Sequence, residues 1–233
     1  MPTRTKFVLL MHPYEFKRIK ANTGRLTHLC LADSELHVGE SFDRHAAVQA
    51  LVEDPKNYPV LLYPGRDALD LSTTPSHDPR LAHLNAQLAQ RRLVVFLLDA
   101  TWRLVRPMLR LSPSLQRLPR IMFSNAAPSR YVIKQQPEPG CLSTLEAAHE
   151  LLVALDRSGL DRYGQPEQLL GLFQRMQDVQ LRCAAENRRL GIRRHALRVP
   201  TGRPRPMPHP LPKRRRIFPV VLPQSSSTSP NPA

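Results

Sequence analysis

Runs of apolar residues recur along the chain and predict buried strands. The longest run is Leu-Val-Val-Phe-Leu-Leu at residues 93–98, and the others lie at residues 7–11, 58–63 and 120–123. A strand that is apolar at consecutive positions, instead of at every second one, is buried on both faces, as in a parallel sheet covered by helices. We therefore expect the chain to be built around the strand at residues 93–98.

The segments between these strands carry apolar residues at helical spacing. Leu81, Leu84 and Leu88, for example, fall on one face of a helix over residues 80–90. Strands that alternate with helices predict an α/β fold with a mainly parallel sheet flanked by helices. The other predicted helices run from a cap at Ser41 or Asp43 to about residue 52, over 101–111, from a cap at Ser143 or Thr144 to 155, and over 166–190.

The segment after the first strand is less clear from its pattern. Asn22-Thr23-Gly24 is predicted to be a turn, in which the glycine supplies any positive φ that is needed. Residues 26–31 fit either a helix or a short strand.

Composition excludes several classes of protein. Apolar residues make up 41% of the 233 residues, which is enough for a core, and no run approaches the roughly 20 apolar residues of a membrane span. The apolar run near the amino terminus is too short for a signal peptide, so we expect a cytoplasmic protein. Cys30, Cys141 and Cys183 are too far apart for a disulfide framework or a Cys-x-x-Cys metal site, and we expect no metal.

The net charge of +15 is concentrated toward the carboxyl end. Residues 182–216 hold 12 basic residues and one acidic residue. Ten prolines follow Val199, and a segment of this composition buries too little apolar area to offset the entropy of ordering. We expect a folded domain at residues 1–190 and a basic, Pro-rich disordered tail at residues 191–233. RNA is the expected polyanionic partner, and no obligate protein partner is evident.

An acidic residue, Asp99, directly follows the longest apolar run. The carboxyl ends of parallel strands form the edge at which open α/β sheets bind ligands. Thr101 and Trp102 then open the next predicted helix. Asp99 therefore either caps that helix or acts on a ligand.

Asp99-Ala100-Thr101-Trp102 resembles the signature of the DTW-domain family, which is named for an Asp-x-Thr-Trp motif. Further stretches resemble the family's other motifs in order and approximate spacing. They are Met-His-Pro at 11–13, Asn-Thr-Gly-Arg-Leu at 22–26, Leu-Tyr-Pro-Gly at 62–65, Ser-Arg-Tyr at 129–131 and Leu-Ser-Thr-Leu-Glu-Ala at 142–147. The resemblance covers about residues 7–155. It implies a SPOUT-like arrangement of the sheet, of a kind that can be knotted.

The resemblance also implies an activity, which is transfer of the 3-amino-3-carboxypropyl group of S-adenosylmethionine to N3 of a tRNA uridine. The sulfonium already activates the reacting carbon, so no metal is needed. Uridine N3 carries a proton, and a base within about 3 Å should assist its removal. Asp99 is the leading candidate if burial raises its proton affinity. The alternatives are an S-adenosylmethionine-dependent RNA methyltransferase and a non-enzymatic RNA-binding protein.

The residues implied to bind the donor each have a structural alternative. Trp102 either stacks on a base or the sulfonium, or anchors its helix. Thr101 either binds the donor carboxylate or caps the helix, and Glu146 either binds the donor amino group or closes a capping box. The full set implied to bind the donor is Tyr63, Gly65, Thr101, Trp102, Leu142, Ser143, Thr144 and Glu146.

The implied RNA contacts fall mainly in the long loop at residues 124–140 and near the basic end. Family members often carry arginines just after the loop tyrosine, whereas this chain has Val132, Ile133 and Lys134 there. Lys134 would supply a charge without the bidentate fork of an arginine. The candidate RNA-binding residues are Arg25, Arg130, Tyr131, Lys134, Arg188 and Arg189.

Overall fold

The described residues fold into strands that are joined mostly by helices. The computed structural model describes residues 1–18, 22–124, 128–134 and 141–191, without the side chains of Arg18 and Trp102. The strands are β1 (Lys6–Met11), β2 (Ser34–Val38), β3 (Asn57–Leu62), β4 (Leu69–Asp70), β5 (Arg92–Asp99) and β6 (Arg120–Met122). The helices are α1 (Pro13–Arg18), α2 (Thr23–Cys30), α3 (Ala46–Glu53), α4 (Pro79–Leu88), α5 (Trp102–Arg110), α6 (Pro113–Gln116), α7 (Thr144–Arg157) and α8 (Pro166–Arg189).

In the described residues, the six strands form one sheet in the order β2-β1-β5-β3-β6-β4. Every strand pair is parallel. The strand at the centre of the prediction, β5, lies between β1 and β3, and Met11 of β1 stands opposite Asp99. The predicted α/β fold with a parallel sheet flanked by helices is confirmed, and its carboxyl edge brings the ends of β1, β5 and β3 side by side.

The side chains of β5 are buried alternately on the two faces of the sheet. Leu93, Val95 and Leu97 pack with the apolar residues of α7 and α8. Val94 and Phe96 pack on the opposite face with α3 and α5. Because helices cover both faces, the strand is apolar at consecutive positions, as its sequence indicated.

Helix α3 begins later than predicted, and its cap is a different residue. His45 is the N-cap, and its Nδ1 accepts a hydrogen bond from the Val48 amide. The two predicted caps are used elsewhere: Ser41 Oγ donates to the Leu111 carbonyl, and Asp43 Oδ1 accepts from the amide and hydroxyl of Ser114. Their hydrogen bonds thus tie the segment before α3 to the connection between α5 and α6.

Several short elements carry no periodic pattern and were not predicted. These are α1, β2, β4 and α6. The open choice for residues 26–31 is resolved as helix α2, which Asn22 caps by accepting a hydrogen bond from the Arg25 amide. The prediction that Gly24 serves a turn of positive φ was wrong, since Gly24 lies in the first turn of α2 and only Gly159 and Gly191 have positive φ among the described glycines.

Residues 192–233, which hold most of the predicted basic tail, lie outside the described residues. The proposed boundary near residue 190 and the knot implied by the resemblance therefore stay predictions. No helix in the described part of the chain is long and apolar enough to cross a bilayer.

Candidate active site

Asp99 is the last residue of β5 and points into the protein from the carboxyl edge of the sheet. The residue is 4% exposed. Its carbonyl accepts a hydrogen bond from the His12 amide at 3.0 Å, which ties the ends of β1 and β5 together. The sequence predicted an acidic group at this edge, and the structure places it there.

The two carboxylate oxygens of Asp99 have different surroundings. Thr144, the first residue of α7, donates its hydroxyl proton to Oδ1 at 2.5 Å. Oδ2 is buried and has no hydrogen-bond partner among the described residues. The Asn22 amide approaches the carboxylate without reaching full hydrogen-bond geometry. Asp99 therefore does not cap α5, and one of its lone pairs is free to accept a proton.

Burial raises the pKa of Asp99 to about 6. The hydrogen bond from Thr144 opposes this shift, and the charge of Glu15 adds to it. The charge of Lys134 and the Asn22 amide also favour the ionised form. A carboxylate with a pKa near 6 is mostly ionised at neutral pH and holds a proton far better than an exposed aspartate. This is the shift that a base acting on uridine N3 was expected to need.

Gly24 forms the wall of the site next to Asp99. A Cβ atom at this position would lie 2.2 Å from Asp99 Oδ2 and 2.5 Å from its Cγ. Such distances are far below van der Waals contact, so any side chain here would displace the carboxylate. Glycine is required for close approach of α2 to the end of β5, and that explains its place in the Asn-Thr-Gly-Arg-Leu motif.

A largely apolar cavity of about 240 Å³ lies on the β3 side of Asp99. It is formed where β3, β5 and β6 end, beside the first turn of α7. Thr144 lines it and also contacts Asp99, so the cavity and the carboxylate share a wall. The lining residues are Leu62, Tyr63, Pro64, Leu97, Leu98, Ala100, Val105, Met122, Phe123, Leu142, Thr144 and Ala147.

Three of the predicted donor-binding residues, Tyr63, Leu142 and Thr144, line this cavity. Gly65 lies beside Arg120, and a Cβ there would be 3.1 Å from Arg120 Nη1. The Arg120 guanidinium in turn lies 5.5 Å from the centre of the Tyr63 ring. Gly65 thus leaves room for an arginine at the cavity rim.

The helix after Asp99 begins with Trp102, whose side chain lies outside the described residues. Thr101 is its N-cap, but the Thr101 side chain makes no capping hydrogen bond. The capping alternative for Thr101 is therefore not realised through its hydroxyl.

Glu146 is occupied by structural hydrogen bonds. Glu146 closes a capping box with Ser143, the N-cap of α7. Of its two predicted roles, the structure therefore shows the capping one. Its Oε2 accepts from the Ser143 amide at 2.9 Å and from the Ser129 hydroxyl at 2.9 Å, and its Oε1 accepts from the Arg130 amide at 2.6 Å. The buried carboxylate thus joins the start of α7 to the Ser-Arg-Tyr stretch of the long loop.

Helix α8 holds the same loop from the other side. The Gln177 side chain accepts from the Val132 amide at 2.8 Å and donates to the Arg130 carbonyl at 3.1 Å. The Tyr131 ring packs edge-to-face on Phe173, with centroids 5.2 Å apart. This fixed backbone presents the Arg130 side chain to solvent.

Residues 132–134, where family members often carry arginines, have different surroundings. Ile133 is buried, and Lys134 is exposed. The charge of Lys134 lowers the pKa of Asp99. Lys134 is thus a described cation of this loop whose charge acts on Asp99.

The other candidate RNA-binding arginines lie apart from the cavity. Arg25 donates from Nη2 to the Phe16 carbonyl at 2.8 Å, and its guanidinium stacks 4.2 Å from the centre of the Phe16 ring. Arg188 and Arg189 are exposed on the last turn of α8, where Arg189 pairs with Glu186 at 2.9 Å.

Glu15 is a site residue that the sequence reasoning missed. It lies in α1, just after β1, is 2% exposed, and its Oε1 has no hydrogen-bond partner among the described residues. Its charge raises the pKa of both Asp99 and Tyr131. The sequence did contain a signal for Glu15: it is an acid four residues after the end of the apolar strand β1. That strand ends at the same edge of the sheet as β5, whose last residue is Asp99.

Among the described residues, no cluster of three or more histidine, cysteine or acidic side chains has the arrangement of a metal site.

The DTW domain model matches residues 1–181 of the chain. Among curated proteins, "tRNA-uridine aminocarboxypropyltransferase 2" of Drosophila melanogaster is 31% identical over 157 residues, which are 65% of this chain and 57% of the relative. The protein of the same name from Mus musculus is 27% identical over 187 residues, 78% of this chain and 59% of the relative. The chain thus spans less than two thirds of these relatives' length. No solved structure gives a significant match.

Proposed function

The chain belongs to the DTW domain family, and from that premise we propose that it is a tRNA-uridine aminocarboxypropyltransferase. It transfers the 3-amino-3-carboxypropyl group from S-adenosylmethionine to N3 of a tRNA uridine and releases methylthioadenosine. The names of the matched relatives support the activity. The observation on which the proposal depends is a buried Asp99 with a free acceptor oxygen and a pKa of about 6.

The apolar cavity suits the adenosine part of the donor. Ligand pockets are mostly apolar with a few polar groups that fix orientation, and here Tyr63 and Thr144 are among the polar ones. With adenosine in this cavity, the amino-acid chain of the donor extends toward Asp99 and the end of β1. Ser143 and Glu146 contribute by holding the cavity wall and the loop in place.

Asp99 performs the proton transfer in this proposal. A bond forms between uridine N3 and the aminocarboxypropyl carbon that is bonded to the sulfonium sulfur. The bond from that carbon to sulfur breaks, and the sulfur keeps the electron pair and leaves in the thioether methylthioadenosine. The N3 proton passes to Asp99 Oδ2. Thr144 keeps the carboxylate oriented and partly ionised through its hydrogen bond to Oδ1. The donor supplies the electrophilic carbon, so the chain needs to supply only orientation and a base.

The basic side chains supply the affinity for tRNA. Phosphate neutralisation by lysine and arginine provides most of the sequence-independent binding energy of nucleic-acid complexes. The basic residues assigned to this role are Arg25, Arg130, Lys134, Arg188 and Arg189, together with the basic segment at residues 191–233. Tyr131 carries no charge and is assigned an uncharged contact beside Arg130. We expect a cytoplasmic location because the proposed substrate is found there.

The test is to incubate the purified protein with tRNA and S-adenosylmethionine and to identify both products by mass spectrometry. Methylthioadenosine together with an aminocarboxypropyl uridine supports the proposal. S-adenosylhomocysteine with a methylated nucleoside would show a methyltransferase instead. Binding of tRNA without any product would show an RNA-binding protein.

Matched variants connect the product to the site. Asp99→Asn keeps the shape of the side chain and is expected to lower the rate by about 100-fold to 10,000-fold. Glu40→Gln removes a carboxylate whose side chain is 63% exposed, and its rate should equal that of the wild type.

A further inference from the structure

Two of the buried carboxylates at the site, Asp99 and Glu15, each have an unpartnered oxygen, and no described cation pairs with both. Asp99 is 4% exposed and Glu15 is 2% exposed. Each has one buried oxygen without a hydrogen-bond partner among the described residues, Oδ2 in Asp99 and Oε1 in Glu15. Burial of an unpaired charge is among the most unfavourable arrangements in a protein. A cationic ligand that enters the site would be a partner for such a group.

Among the described residues, the nearby basic side chains do not fill this role. Arg25 donates from Nη2 to the Phe16 carbonyl and stacks on the Phe16 ring, its buried Nε has no partner among the described residues, and it forms no described ion pair with either acid. Lys134 is exposed, and none of the described ion pairs includes Glu15. The side of Asp99 that faces β1 and α1 is therefore acidic, whereas the side that faces β3 is the apolar cavity.

We propose that Glu15 binds the α-ammonium group of the donor's amino-acid chain, an assignment that rests on the proposed function. Glu15 Oε1 has no N–H or O–H donor among the described residues, and an ammonium group offers three N–H donors. The sulfonium of the donor carries positive charge but no N–H group, so it would leave Glu15 Oε1 without a hydrogen bond.

The covalent structure of the donor agrees with this assignment. Only three bonds separate the reacting carbon from the ammonium nitrogen, so the group that acts on the nucleophile and the group that holds the ammonium must be neighbours. The His12 amide donates to the Asp99 carbonyl at 3.0 Å, and Glu15 follows three residues later in α1, so both acids lie at the same edge of the sheet. The chain then extends from the adenosine cavity past Asp99 to Glu15.

Glu146 was the acid that the sequence reasoning considered for the ammonium group. Its carboxylate accepts hydrogen bonds from Ser143, Ser129 and Arg130, and both of its oxygens are therefore in use. Glu15 has an oxygen to offer, and Glu146 does not.

Three ligands separate the possible contacts of Glu15. S-adenosylmethionine carries both cationic groups, S-adenosylhomocysteine keeps the ammonium and lacks the sulfonium, and methylthioadenosine lacks both. We expect Glu15→Gln to weaken the first two by roughly 10-fold to 100-fold in calorimetric titrations, with methylthioadenosine binding unchanged. Glu40→Gln is the matched control and should bind all three ligands as the wild type does.

The other outcomes are distinct. Equal binding of S-adenosylhomocysteine by Glu15→Gln and the wild type overturns the assignment while the proposed function stands, and so does weakening of all three ligands alike. If the wild type binds neither S-adenosylmethionine nor methylthioadenosine, the proposed function fails and the assignment fails with it.

A second measurement needs no variant and covers the case in which Glu15→Gln does not fold. The wild-type protein is titrated with S-adenosylhomocysteine and with the analogue in which the α-amino group is replaced by hydrogen. We expect the analogue to bind at least 10-fold more weakly. Equal affinity would overturn the assignment.

Discussion

Thr144 Oγ1 donates a hydrogen bond to Asp99 Oδ1 at 2.5 Å, and so joins the first turn of α7 to the end of β5, 45 residues earlier. A hydrogen bond to a carboxylate favours its charged form. It therefore holds the pKa of Asp99 below the value that burial alone would give. Thr144 thus influences the fraction of Asp99 that is ionised at neutral pH.

Replacement of Thr144 by valine keeps the shape of the side chain and removes this donor. We expect the pKa of Asp99 to rise, so the acidic limb of the pH profile of kcat/KM should move upward by about one pH unit or more. Thr144→Ser keeps the hydroxyl and should leave the limb in place. An unshifted limb in Thr144→Val would show that Asp99 does not limit the rate.

The raised pKa of Asp99 also predicts how stability depends on pH. Because the folded protein binds the Asp99 proton more tightly than the unfolded chain does, this group's contribution to the free energy of unfolding is most favourable below about pH 4 and falls as pH rises through 6. Asp99→Asn does not titrate. It should therefore be more stable than the wild type by about 3 kcal/mol at pH 8 and nearly equal to it at pH 4.

Urea unfolding at pH 4 and pH 8 measures this difference. Asp67→Asn, which changes an exposed aspartate, should alter stability by less than about 0.5 kcal/mol at either pH. A stability gain for Asp99→Asn that is the same at both pH values would contradict the prediction.

A methyl group at Gly24 should damage the site without touching a ligand directly. The new Cβ in Gly24→Ala would lie 2.2 Å from Asp99 Oδ2, so the carboxylate must move, at a cost of about 1–3 kcal/mol in stability. We expect a large fall in kcat. The control is Gly171→Ala in α8, where the Cβ would lie 3.6 Å from Arg175 Nη1 and the protein should gain about 0.5–1 kcal/mol. Thermal unfolding and product formation are measured for both.

Glu146→Gln separates a structural acid from a donor-binding one. The variant loses the charged acceptor for Ser143 and Arg130, and the protein should lose about 1–3 kcal/mol of stability. Its ratio of affinities for S-adenosylhomocysteine and methylthioadenosine should stay at the wild-type value, in contrast to Glu15→Gln. Glu53→Gln, at an exposed position of α3, is the control for the loss of charge. A changed ratio in Glu146→Gln would place Glu146 at the ammonium group.

Arg188 and Arg189 should contribute to tRNA binding through charge. Replacing both by alanine should weaken binding for all tRNA sequences and reduce the slope of log K against log salt by about 1.5–2. Arg80→Ala removes an exposed arginine that pairs with Asp78 and should leave the slope unchanged. Filter binding at several salt concentrations gives the slopes, and an unchanged slope in the double variant would exclude these residues from the interface.

Local patterns in the chain were sufficient to predict most of the regular structure. The run at residues 93–98 indicated β5 because consecutive apolar positions require cover on both faces. The spacing of Ser143 and Glu146 indicated the start of α7 because a capping box is made within four residues. Short elements such as α1 and β2 were missed because they have no periodic pattern of their own. Contacts with neighbouring elements determine their conformation.

The sequence by itself determined that a parallel sheet would present Asp99 at its ligand-binding edge, because burial pattern and strand ends are local properties. Tertiary structure alone decided which groups surround that acid. Gly24, Thr144 and Glu15 reach Asp99 from three other segments because β1 pairs with β5 and because α2 and α7 begin beside their ends. Burial among those neighbours, which no local pattern encodes, raises the pKa of Asp99 to about 6.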